Sequence, residues 1–151
     1  MQQQNGAANM RRTNLALLVL GSTFLALASC TSPDGQNEAM PTRADGAAFF
    51  AENCVSCHGA GGQGGGTTAN GLAVLPPNLT LLSAENDDRF PAARALSYIY
   101  GDPQNSHLAR VMPQFGGEMA EDLVPVDIEG VLTPTPRELA GLLVYLESIQ
   151  Q

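Results

Sequence analysis

The sequence has no tryptophan and no lysine, and aromatic residues make up only 5% of it. So few large rings leave a core thin for its length, and a bound apolar group would supply the missing mass. Without lysine, seven arginines face fifteen Asp and Glu. Nucleic acid and bare anionic lipid are therefore excluded as electrostatic partners. Histidine is scarce too. With only His58 and His107 and no second Cys pair, the chain is poorly equipped for a four-ligand zinc site. The one long apolar run, Leu15 to Ala28, is too short to span a bilayer comfortably.

That run follows Arg11-Arg12 and has the form of a signal peptide, a basic region and then an apolar one. The polar residues before Met10 add nothing to such a signal, so Met10 is read as a true start. Arg11-Arg12 alone does not make a twin-arginine signal. The run closes on Leu27-Ala28-Ser29-Cys30, which resembles a bacterial lipobox, so Cys30 is expected to be the acylated first residue of the mature protein. The competing reading is cleavage after Ala26-Leu27-Ala28, which would leave a soluble periplasmic protein. Acyl chains would hold the protein on a membrane without a transmembrane helix. Residues 1–29 are thus read as signal and 30–41 as lipidated terminus and tether. If flexible, the tether has an r.m.s. reach of roughly 18 Å. Residues 42–151 form one small domain. Loss of the signal removes Arg11 and Arg12 and leaves five arginines against fifteen carboxylates, a net charge of −10.

The decisive pentapeptide is Cys54-Val-Ser-Cys57-His58. Two thiols three positions apart can each add to a haem vinyl group, and the histidine after the second is then held under the iron. The reading is one covalently attached haem c. A thioredoxin-like redox pair would need a strand before the first cysteine, and residues 47–53 read instead as helix.

Helix signals frame that motif. Thr42 with Asp45 predicts a capping box opening a helix from Arg43 to Asn53. Pro91 to Tyr100 reads as a second helix ended by Gly101, with Leu96, Tyr98, Ile99 and Tyr100 as its buried side. Thr135-Pro136-Arg137-Glu138 predicts another capping box, with proline at the first helical position, opening a helix to about Ser148. Leu139, Leu142, Leu143, Leu146 and Ile149 share one of its faces. The glycines of residues 59–66 cannot form a Walker A loop without lysine, and read as a flexible loop at the haem edge or simply a loop. Pro77 follows, and its carbonyl is the candidate acceptor for the far nitrogen of His58, against the alternative of an ordinary turn. Residues 124–131 suggest a short hairpin.

From Thr42 onward the chain resembles the class I c-type cytochromes. Gly46 and Phe50, eight and four residues before Cys54, match the positions where the family's first helix crosses its last, and Leu142 and Tyr145 match the facing ones. The resemblance implies an all-α, cytochrome c-like fold around one covalently bound haem. It also implies a distal methionine in a Met-Pro context, which Met112-Pro113 supplies. Met119 and His107 are the rival ligands. The implied activity is electron transfer rather than catalysis, between redox donor and acceptor proteins. Given the acidity and the missing lysine ring, those partners are expected to present a basic docking face. Two alternatives are a cytochrome subunit dedicated to one oxidoreductase, and a haem enzyme or ligand sensor with an open distal position. The departures from the family pattern are the long Gly-rich loop after His58 and the acidic segment after Met112.

Overall fold

The structure, a computed structural model, describes residues 39–101 and 111–151. The signal region, Cys30, most of the tether and His107 lie outside the described residues. The described chain runs through α1 (Arg43–Asn53), the short α2 (Val55–His58), two 3-10 turns (Ala69–Gly71 and Leu79–Leu81), α3 (Ala92–Tyr100), strands β1 (Leu123–Ile128) and β2 (Val131–Pro136), and α4 (Arg137–Ser148).

Helix α1 begins where its cap requires. The Asp45 amide donates to the Thr42 hydroxyl at 3.4 Å, and the Thr42 amide donates back to the Asp45 carboxylate at 2.7 Å. The backbone and side-chain hydrogen bonds from Thr42 hold that carboxyl below its ordinary range. Helix α1 then crosses α4 with backbones in contact. A Cβ on Gly46 would fall onto the Gly141 carbonyl and 2.8 Å from Tyr145 Cβ, so only glycine permits the approach. Gly141, which the sequence reading did not single out, is thus the direct counterpart of Gly46. Leu142 lies in the core beside Phe50, and the Tyr145 ring sits 5.1 Å from that of Phe50. Leu139, Leu142 and Leu146 of α4 close the core against Phe50, Cys54 and Ile99.

Helix α3 differs from expectation on two residues. Ile99 is buried and Leu96 packs against the core, but Tyr98 and Tyr100 are 48% and 41% exposed. In so short a helix, residues three apart share the face toward α4, and Tyr98 and Tyr100 fall to either side of it. A two-stranded antiparallel sheet accompanies the helices, pairing Leu123 with Pro136 through Ile128 with Val131. Its turn is Glu129-Gly130, both at positive φ (54° and 86°), and the Gly130 amide donates to the Asp127 carboxylate at 2.7 Å. The hairpin therefore extends five residues beyond the span suggested by sequence.

That extension explains why the box expected at α4 does not form. Thr135 is fully buried in β2 and its hydroxyl donates to the Thr133 carbonyl at 3.0 Å. Pro136 is the cap residue itself, with no side-chain cap. The Arg137 amide is satisfied instead by the Asp122 carbonyl at 2.9 Å, and the Arg137 guanidinium pairs with the Asp122 carboxylate at 2.8 Å. Strand pairing has taken the threonine that local signals assigned to the helix.

Candidate functional site: a turn with two thiols and an orphaned imidazole

Cys54 ends α1 and starts α2. Its amide donates to the Phe50 carbonyl at 2.9 Å, and its own carbonyl accepts from the amides of Cys57 at 3.2 Å and His58 at 2.9 Å. The pentapeptide is thus one tight turn hung from the first helix. Cys54 is buried in the core cluster, whereas Cys57 is partly accessible, and both thiols are free. Burial, with a smaller contribution from Cys57, pushes the Cys54 thiol up to about 11.

His58 is buried, and its Nδ1 has no hydrogen-bond partner. Burial lowers its pKa, and the backbone carbonyl of Pro77 acts in the opposite direction. The carbonyl is thus near enough to influence the ring without forming a hydrogen bond to Nδ1. Pro77, nineteen positions on, is the candidate acceptor for this ring. A buried imidazole left incomplete calls for explanation, since such groups are normally satisfied.

The Gly-rich segment is not the free loop of the sequence reading. It folds back on the turn, the Gly64 amide donating to the His58 carbonyl at 2.8 Å and the Gly66 amide to the Cys57 carbonyl at 3.2 Å. The Thr68 amide and hydroxyl both donate to the Ser56 carbonyl, at 2.9 and 2.8 Å, and the Thr68 hydroxyl lies 3.2 Å from Cys57 Sγ. Further on, the Leu79 amide donates to the Gly62 carbonyl at 2.7 Å. The Gln150 side-chain amide binds the Leu79 carbonyl at 2.8 Å and the Leu146 carbonyl at 2.7 Å, locking this strip to the C-terminus. Gln150 escaped the sequence reading because a lone glutamine near a chain end carries no local signal.

After α3, Met112, Phe115 and Met119 all pack, partly buried, against the core cluster that contains Cys54. The segment is anchored to the end of α3 by the Phe115 amide to the Ile99 carbonyl and the Gly116 amide to the Tyr100 carbonyl, both 3.0 Å. The Phe115 ring stands edge-on to Phe49 at 5.5 Å. Both methionine candidates are therefore brought to the same apolar wall. Among the described residues no group of three or more His, Cys, Asp or Glu side chains could hold a metal ion.

Two thiols and a buried imidazole with one unpartnered nitrogen, on a single turn joined to the core against which Met112 and Met119 pack, suit a haem better than a bare metal ion. Crossed terminal helices around such a turn define a c-type haem domain. The family model for cytochrome c matches residues 43–150, and the chain belongs to that family. No curated protein and no solved structure matches it. Membership brings a covalently bound haem c, haem-based electron transfer and an electron carrier's role. The fold is the mostly helical one expected, with the small sheet added.

Proposed function

We propose that this chain is a class I, single-haem cytochrome that shuttles electrons in the periplasm and is held on a membrane by an acylated Cys30. Cys54 and Cys57 carry the two thioether bonds, His58 is the proximal ligand and Met112 the distal one. The observation that carries this assignment is the buried His58 Nδ1 with no partner, next to the Pro77 carbonyl. An imidazole that ligates through Nε2 keeps its proton on Nδ1, and Pro77 is the acceptor that proton would take.

Bound iron supplies one-electron exchange. Cys54 and Cys57 would hold the haem through its vinyl groups, His58 would ligate the iron, and the core residues around Cys54 would keep water from the porphyrin. Met112 is preferred to Met119 on its Met-Pro context, and its thioether, as a second ligand beside His58, would favour the reduced state of the iron. Redox donor and acceptor proteins with a basic docking face suit a mature chain of net charge −10.

Acid-acetone extraction tests attachment. Haem should stay on the denatured wild-type polypeptide and be lost from the Cys54→Ser, Cys57→Ser double variant; free extraction from the wild type would sink the assignment. Met112→Ala should abolish the weak sulfur-to-iron band at the red end of the oxidised spectrum and lower the midpoint potential, while Met119→Ala should do neither. The opposite pattern would give the role to Met119. For the anchor, wild type should partition into detergent and Cys30→Ala should not. Native protein with a free Cys30, or cleaved after Ala28 without acylation, would remove the tether and leave the carrier reading standing.

A further inference from the structure

Between Glu52 and Glu85 the chain carries no Asp, Glu, Lys or Arg for thirty-two residues, in a protein with fifteen acidic side chains. The haem-binding turn lies at the start of this charge-free stretch, and the Gly-rich strip that folds back on it is the rest. At the far end of the strip, Val74 is 76% exposed and Leu75 67%. Two adjacent branched apolar side chains in water have no role in the core.

Their placement ties them to the haem turn. Pro76 follows directly, and a Cβ on Gly64 would meet its carbonyl at 3.4 Å; the Gly64 amide is in turn bonded to the His58 carbonyl. Pro77 comes next, its carbonyl against the His58 ring. Val74 and Leu75 are therefore held beside the His58 turn, flanked by backbone hydrogen bonds from the Leu72 amide to the Ala69 carbonyl and from the Leu79 amide to the Gly62 carbonyl. Such a surface loses little conformational entropy when covered.

The hairpin also exposes apolar residues, Val131 at 66% and Leu132 at 70%, but it differs in setting. Leu132 pairs across the sheet with Asp127, and Glu129 stands in the turn. Covering that tip would desolvate carboxylates, whereas covering Val74 and Leu75 desolvates none of their neighbours in the strip.

We infer that Val74 and Leu75 anchor the docking surface for this protein's redox partner, which meets the charge-free strip with an uncharged, apolar patch and keeps its basic residues at the rim. The inference rests on the electron-carrier reading above. A second copy of the chain is disfavoured as occupant because two domains of large negative charge repel on approach, while a partner with a basic rim is drawn in. Apolar contacts at the centre then hold the encounter, as buried anchors do at other interfaces.

The test uses the full-length holoprotein carrying Cys30→Ala, so that no acyl chain mediates adsorption. Voltammetry would be recorded on gold bearing a mixed methyl- and hydroxyl-terminated monolayer, and separately on an amine-terminated one. The parent should give a reversible haem couple on the mixed film that persists as sodium chloride is raised. Val74→Ser with Leu75→Ser should lower its affinity for that film roughly tenfold, with solution midpoint potential and haem spectrum unchanged. Ala73→Glu should have the same effect without removing an apolar group, and Val131→Ser with Leu132→Ser should have none. On the amine film the parent and the two serine double variants should behave alike, and Ala73→Glu should bind no more weakly than they do. Equal affinity of the parent and the Val74, Leu75 variant for the mixed film would overturn the inference. So would concentration-dependent dimerisation that the same variant abolishes. Absence of any reversible haem couple, in solution or on either film, would instead refute the carrier reading on which the inference rests.

Discussion

The Gly-rich strip and the acidic hairpin are the two places where this chain departs from the cytochrome pattern, and they are built on opposite principles. The hairpin draws its main-chain pairing from within itself, although Val124, Ile128 and Thr135 are buried in the domain. Its strands are adjacent in sequence, its turn has the two positive-φ residues that a two-residue connection needs, and it pairs with nothing beyond its own ladder among the described residues. The strip has almost no internal ladder. It is held by amides reaching back to the carbonyls of Ser56, Cys57 and His58, and by Gln150 arriving from the other end of the domain. Damage to the hairpin should therefore remain local, while damage to the strip should reach the haem-binding turn.

Glycine substitutions put this contrast to its hardest test. A Cβ at Gly66 would lie 2.6 Å from both the Val55 carbonyl oxygen and the Ser56 carbonyl carbon, backbone atoms that cannot swing aside. Gly66→Ala should cost about 2–3 kcal/mol in chemical denaturation of the holoprotein, and should reduce the yield of covalent haem in cells. Unchanged stability and yield would show that the strip does not brace the turn. At Gly130 a Cβ meets open space, so only the positive φ opposes it. Gly130→Ala should cost about 1 kcal/mol and leave haem yield and midpoint potential at wild-type values.

Removing a single hydroxyl sharpens the comparison further. Thr68→Val deletes the bond to the Ser56 carbonyl and the contact with Cys57 Sγ but keeps the backbone amide bond. A loss of about 0.5–1 kcal/mol is expected. The fraction of protein attached through Cys54 alone should rise, read by mass spectrometry, and Thr68→Ser should restore it. The mildest change lies at the hairpin's base, where Arg137 pairs with a half-exposed Asp122. Asp122→Asn should cost no more than about 0.5 kcal/mol, an effect that fades with added salt and leaves the haem spectrum unchanged. A shift in midpoint potential in this variant would mean that the hairpin is coupled to the site after all.

Which parts of this molecule could be read in advance follows from the range of the interactions concerned. The pentapeptide, the Thr42 cap and the apolar face of α4 are all written within a few residues. The cap expected at Thr135 failed for the converse reason. Its local pattern was sound, but a strand seven to twelve residues earlier competed for the same residue and buried it. Tyr98 and Tyr100 were misplaced because hydrophobicity alone does not say which face of a short helix meets α4.

By itself the sequence determined the chemistry: two thiols and an imidazole at fixed spacing, helices on either side with their ends marked, and an acidic exterior without lysine. These depend on covalent order and helical periodicity, which neighbouring residues express without outside help. Only the tertiary structure decided that Gly141 faces Gly46, that eight glycine-rich residues form a brace instead of a free loop, that Gln150 closes it, and that Val74 and Leu75 stand exposed beside the haem turn. The Gly46 to Gly141 crossing and the Gln150 bond to the Leu79 carbonyl join segments far apart in the chain. Even the brace depends on amides that reach past their neighbours to the haem turn, and such contacts exist only once the chain has closed on itself.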